Sequence, residues 1–291
     1  MPCRWSRTSS SNTTRADDLR ALRRAGVAAP LPATRRSLLL GLGLTLLAGA
    51  ARAGCAAVPA RDLGYAMRVG GVSVADLELR LRCSGDLASV QMVMRNSGLA
   101  ALVSGSHRTD MTAEVTMGEA GPRPSRFSAL YTKPDRTRET ALVFAADGSL
   151  EDLVVRHRGR EQESPVPPAL RQPSIDPLGA LLELSDWLAR APAPDATMTL
   201  PIFDGRKRGD LETVYRGRGT IEVEGREREA HHLTAALRGL SGFEPDDAFV
   251  TLPGGPPSWI DVYASIEPMP MPLVIRSRDS TLETSIELVS G

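Results

Sequence analysis

Leu77-Glu78-Leu79-Arg80-Leu81-Arg82-Cys83 alternates apolar and charged residues without a break. That is the period of a strand with one dry face and one wet face, and it excludes a helix, whose apolar residues recur every three or four positions. The alternation repeats outward from this stretch, at Val90, Met92 and Met94, at Thr109, Met111, Ala113, Val115 and Met117, and at Phe127, Ala129 and Tyr131. Thr140, Leu142 and Phe144 then lead through Ala146-Asp147-Gly148-Ser149 to Leu153, Val155 and His157. Asp-Gly supplies the positive φ that a tight hairpin turn demands, so these segments read as a meander of antiparallel strands.

Residues 161–173 carry four prolines and no period, which predicts an extended surface connection. A helix follows over Asp176–Arg190. Asp176 is a good N-cap, Pro177 stands where a missing N–H costs nothing, and Leu178, Leu181, Leu182, Ser185 and Leu188 share one face before Pro192. Strands resume at Thr197–Phe203 and Leu211–Tyr215, on either side of Asp204-Gly205, then at Thr220–Val223, Ser258–Ile266, Leu273–Arg278 and Leu282–Leu288. Residues 228–240 have helical propensity but lie between strands, and we read them as strand. The fold class is therefore mainly β: an antiparallel, strongly curved sheet forming a partly open barrel or roll, with one amphipathic helix packed against it.

The first 53 residues are unlike the rest. They hold nine Arg against two acids, which leaves the body with 26 basic and 33 acidic groups and a net charge of −7. Such a body suits neither the phosphate neutralisation of nucleic-acid binding nor, with eleven aromatic residues, the stacking of single strands. Residues 34–53 read as an export signal peptide, with Arg35 and Arg36, an apolar run from Leu38 to Ala51, and Ala51-Arg52-Ala53 before the cleavage point. The run falls short of the ~20 residues that span a bilayer. Thr-Arg-Arg-x-Leu-Leu resembles the twin-arginine signal, with the general secretory route as the alternative. Residues 1–33 read as a disordered or over-long n-region. Residues 54–291 form the β-rich domain, which is expected in the periplasm. There Cys55 and Cys83 could pair, or Cys55 could be acylated at a lipoprotein-like box and hold the chain at the outer membrane.

Four segments agree in order and spacing with a known family: Tyr65 through Gly71 with its following strand, Ile175-Asp176-Pro177-Leu178-Gly179-Ala180-Leu181-Leu182, Leu200-Pro201-Ile202-Phe203-Asp204-Gly205-Arg206-Lys207-Arg208, and Trp259-Ile260 with Pro272-Leu273-Val274-Ile275. The chain resembles the exported proteobacterial proteins of the domain of unknown function DUF3108 over about residues 62–289. The resemblance implies a β-rich exported domain and no particular reaction. Many relatives carry a cysteine shortly before the Phe-Asp-Gly-Arg segment and another in the strand after it. This sequence has none in Asp195–Thr199 or Ala230–Thr234.

Neither a catalytic residue nor a metal or cofactor is expected. His231 and His232 would point to opposite faces of a strand, so they do not suit one metal. Asp246 and Asp247 follow Pro245 as turn residues would. The sharpest local feature is Asp204-Gly205-Arg206-Lys207-Arg208, a hairpin with a basic tip that is either solvated or offered to phosphate headgroups or an acidic partner. Met92 and Met94 share a strand face, as do Met111 and Met117, so these four could line a cavity for a lipid-like ligand as well as pack a core. Pro268-Met269-Pro270-Met271-Pro272 reads as an extended linker or docking segment. The expected role is that of a non-enzymatic envelope protein binding an apolar ligand or an envelope partner, with no transmembrane span in the mature chain. A periplasmic hydrolase is the alternative.

Overall fold

The computed structural model describes residues 55, 59–98, 101–102, 105–244, 249–255, 258–278 and 283–291. The export-signal readings, and those for Asp246 and Asp247, fall outside these residues. Eight strands run as a meander, each antiparallel to the one before: β1 (Arg61–Val69), β2 (Val72–Ser84), β3 (Leu87–Asn96), β4 (Arg108–Gly118), β5 (Gly121–Lys133), β6 (Arg136–Phe144), β7 (Leu150–His157) and β8 (Arg160–Gln162). Helix α1 (Pro177–Ala189) intervenes. Then come β9 (Thr197–Phe203), β10 (Arg208–Val223), β11 (Arg226–Ser241), the short β12 (Val250–Thr251), β13 (Ile260–Ser265), β14 (Pro272–Ser277) and β15 (Thr284–Ser290).

All fifteen described strands belong to one sheet, in the order β8-β7-β6-β5-β4-β3-β2-β1-β15-β14-β13-β11-β10-β9, with β12 beside β11. Strand β15 joins the two halves by pairing with both β1 and β14. Strands β8 and β9 are the ends of this order, so the sheet is open. The edges are protected in different ways. Strand β8 is three exposed polar residues, whereas β9 is covered by Ile175, whose N–H donates to Pro201 O at 2.8 Å and whose carbonyl accepts from Phe203 N–H at 2.9 Å.

Side-chain alternation explains which face is dry. Leu79, Leu81, Ala88, Val90, Ala113, Val115, Phe127, Ala129 and Leu142 form the main core from one face of β2–β6. Opposite positions carry ion pairs, Arg82 with Asp62 at 2.8 Å, Arg95 with Glu78 at 2.7 Å and Arg108 with Asp110 at 2.6 Å. This outer face is a wet one, unlike the apolar band of a lipid-facing barrel.

Helix α1 begins where its cap requires: Asp176 Oδ1 accepts the N–H groups of Leu178 and Gly179 at 3.0 and 2.8 Å. It touches β4, β5 and β9. Leu178 and Leu182 enter the main core, while Leu188 belongs to a second cluster with Tyr215, Leu233 and Val262. The helix thus fills the roll between the two halves of the sheet.

Three sequence expectations change, one open question is settled and one reading holds. Strand β10 is continuous, with an irregularity between Tyr215 and Gly217, where two segments were expected, because Gly217 takes φ +102° and lets the ladder resume beyond it. The proline-rich connection is more than a surface tie, since its Val166 is fully buried in the main core. Met269 and Met271 are buried there too, so the Pro-Met-Pro-Met-Pro segment inserts its methionines inward and does not form an exposed docking strand. Cys55 and Cys83, left open above, are joined in a disulfide with Cα atoms 5.4 Å apart. The Cys55 sulfur that acylation would need is the one bonded to Cys83. Residues 228–240 are strand within β11, because inward Leu233 and Ala235 are buried and outweigh local helical propensity.

Candidate functional site

Strand register draws a line of side chains across the inner face: Tyr65, Leu77, Met94, Thr109, Tyr131, Arg138 and His157, each opposite the next. The line starts apolar and ends basic. At its basic end the turn between β9 and β10 comes down onto β5, β6 and β7, with Gly205 against Thr140 and Leu153. Ser164 Oγ donates to Gly205 O at 2.6 Å, and Tyr131 Oη donates to Asp204 Oδ2 at 3.4 Å. These contacts close the seam that no ladder closes.

The turn itself has the expected chemistry. Gly205 takes φ +90°, and Asp204 Oδ1 accepts the N–H groups of Arg206 and Lys207 at 2.8 and 2.6 Å. The expectation of a freely solvated or projecting basic tip requires correction. Gly205 and Arg208 are buried, Asp204, Arg206 and Lys207 are half-buried, and the tip is docked on the neighbouring half of the sheet. Arg208 turns inward to Asp210 Oδ1 at 2.7 Å, and Lys207 lies over the Phe243 ring at 5.5 Å.

Docking creates a cleft of about 140 Å³ lined by Tyr131, Lys133, Arg136 and Arg138 from the β5–β6 hairpin and by Asp204, Arg206 and Lys207 from the β9–β10 turn. Burial, then the nearby Arg206 and Arg136, hold the Arg138 guanidinium below its ordinary pKa. Burial pushes the Tyr131 phenol up, and Asp204 adds to that, so Tyr131 is a permanent donor. His157 is held low by burial and then by Arg138, Arg158, Arg136 and Arg206. Among the described residues, Arg138 and Arg206 make no ion pair. The Nε of Arg136 and the Nε2 of His157 are buried without a hydrogen-bond partner. Such a site can attract and hold an anion. Sequence reasoning singled out its Asp204–Lys207 side and missed Lys133, Arg136 and Arg138, although these three recur within six residues of one strand pair.

The methionines are brought together only in part. Met92 stands directly opposite Met111 across β3 and β4, Met94 lies two residues along on the same face, opposite Thr109, and Met117 is at the far end of β4 opposite Pro122. Met92, Met111 and Met117 pack against the main core. The histidine pair does face both ways: His231 Nδ1 lies 3.0 Å from Tyr215 Oη in the interior, and His232 stacks on Tyr263 with Nε2 2.8 Å from Asp261 Oδ1.

The architecture defines a class: an open antiparallel β-roll plugged by a helix, with a basic cleft at its seam. The family described as "Protein of unknown function (DUF3108)" matches residues 64–249, and the chain belongs to it. Among solved structures the chain is similar to the beta-barrel-like protein of the domain of unknown function DUF1849 from Brucella abortus, at 13% identity, covering 79% of this chain and 96% of that one with a TM-score of 0.46. No curated protein matches.

Proposed function

We propose that this chain is an exported, non-enzymatic binding protein of the cell envelope, resident in the periplasm, whose ligand or partner presents an anionic group to the seam cleft. The observation that carries the reading is the cleft itself: five cationic side chains meet there around one carboxylate. The Cys55–Cys83 bond supports export, since such bonds persist in oxidising compartments and are rare in the cytosol. An apolar ligand among Met92, Met94, Met111 and Met117 has less support, because three of the four pack against the core.

Native mass spectrometry of protein recovered from the periplasmic fraction tests the reading. An anionic adduct that disappears in an Arg138→Gln, Arg206→Gln double variant is expected. Replacing Arg35 and Arg36 by Lys is expected to leave precursor in the cytoplasm. Wild-type protein found only in the cytoplasm, or free of any adduct, would count against the proposal.

A further inference from the structure

We infer that the seam cleft is a site for a terminal phosphate group, a tetrahedral dianion at the end of a larger molecule. The inference rests on the anion-binding reading above and adds the chemical class.

Charge is the first argument. Lys133, Arg136, Arg138, Arg206 and Lys207 border the cleft, and the carboxylate in its lining, Asp204, is already engaged by two turn N–H groups and by Tyr131. Glu244 also acts on Arg138, and Asp135 lies 4.0 Å from Arg136 Nε. The balance still favours a ligand with more than one negative charge, and a phosphate monoester carries about −1.5 to −2 at neutral pH. A single carboxylate would leave most of the repulsion among the guanidiniums in place.

Geometry is the second argument. Arg136 and Arg138 come from β6, whereas Arg206 comes from a turn about 70 residues away that docks from the facing side. Donors reaching in from two hairpins suit an acceptor whose oxygens point in several directions. A planar carboxylate is best met by one fork in its own plane. The buried Arg136 Nε makes no hydrogen bond, with the Asp135 carboxylate no nearer than 4.0 Å.

Size is the third. A cleft of about 140 Å³ is smaller than the ~300 Å³ at which sites begin to enclose a drug-sized ligand. It accommodates a charged end group, with the remainder of the ligand outside.

The test titrates phenyl phosphate, benzoate and a hexaglutamate peptide into the purified chain by calorimetry at low ionic strength, while the His157 imidazole is followed by NMR. Phenyl phosphate is expected to bind one to one, at least tenfold tighter than benzoate, to move the His157 resonance, and to weaken as salt is added. The Arg138→Gln, Arg206→Gln variant should lose at least tenfold in affinity. Should that variant not fold, the wild-type His157 resonance decides, and its failure to move with phenyl phosphate overturns the site. Co-sedimentation with phosphatidylcholine vesicles containing phosphatidic acid would identify a lipid headgroup as the source of the phosphate. Binding of phenyl phosphate without co-sedimentation would identify a soluble one. Equal or tighter binding of benzoate overturns the phosphate class and leaves the anion-binding reading standing. Tighter binding of hexaglutamate reassigns the cleft to an acidic protein and also overturns it. No binding by any of the three overturns both readings.

Discussion

Tyr131 and Asp204, 73 residues apart, meet phenol to carboxylate at 3.4 Å where no backbone ladder joins the two ends of the sheet. The contact aligns the two basic hairpins, so the seam and the cleft are one construction. Disturbing the docked turn should therefore loosen the roll and disperse the cations together.

Gly205 is the position that tests this. It holds φ +90° and packs against Thr140 and Leu153, so a side chain there meets both a strained backbone and an occupied space. Gly205→Val is expected to destabilise the protein by more than about 2 kcal/mol in urea denaturation, beyond what an ordinary surface change does. An unchanged midpoint would show that the turn does not depend on the close approach.

Asp176 gives the protein a pH dependence of definite sign. Burial raises its pKa to about 6, against the opposing effect of hydrogen bonds from the backbone N–H groups of Gly179, Leu178 and Asp176 itself. A carboxyl that is raised in the folded state stabilises below its unfolded pKa of about 3.9, and that contribution is lost as pH rises through about 6. The difference of about two units corresponds to at most ~3 kcal/mol. Asp176→Asn keeps an acceptor for the helix cap and does not titrate, so its urea midpoints should vary less between pH 4 and 7 than those of the wild type. Parallel pH profiles would refute the assignment.

The disulfide ties Cys55 to the end of β2 across a sequence separation of 28. Loop-closure entropy makes such a link worth about 3.5 kcal/mol. The Cys55→Ser, Cys83→Ser variant should lose stability of that order and remain folded in the cold, as read by denaturant unfolding. A loss below about 1 kcal/mol would mean that the segment before β1 is held mainly by packing.

The methionines separate packing from ligand binding. Met92 opposes Met111 and packs on the core, so Met92→Trp is overpacking and should cost about 1–3 kcal/mol. Met94, outside that cluster, should accept Trp at a cost below about 1 kcal/mol. A Met92→Trp protein of normal stability that has lost binding of a fluorescent fatty acid would restore the apolar-ligand reading.

Strands with one dry face were legible because their period of two survives in residues such as Leu77 to Cys83. Helix α1 was legible because Asp176, Pro177 and Pro192 mark its ends. The cleft was not. Arg138 and Arg206 approach through the accumulated curvature of the sheet, which has no local marker, and the basic turn looked solvated because nothing nearby in sequence names the surface that receives it. The burial of Met269 and Met271 was hidden for a similar reason, since flanking prolines describe backbone shape and say nothing about which side chains turn inward.

Arg68 and Glu287 pair at 2.7 Å across 219 residues, where β1 meets β15. This places the first strand of the sheet beside the last, and its effect falls on time. The meander from β1 to β8 needs only neighbours, yet the free edge of β1 stays unpaired until β15 has been made. Closure that depends on contacts so distant in the chain is slow. For that whole interval the exposed edge of β1 is open to any other strand, so crowding during synthesis, before the roll has shut, is when this protein is most exposed to pairing with the wrong chain.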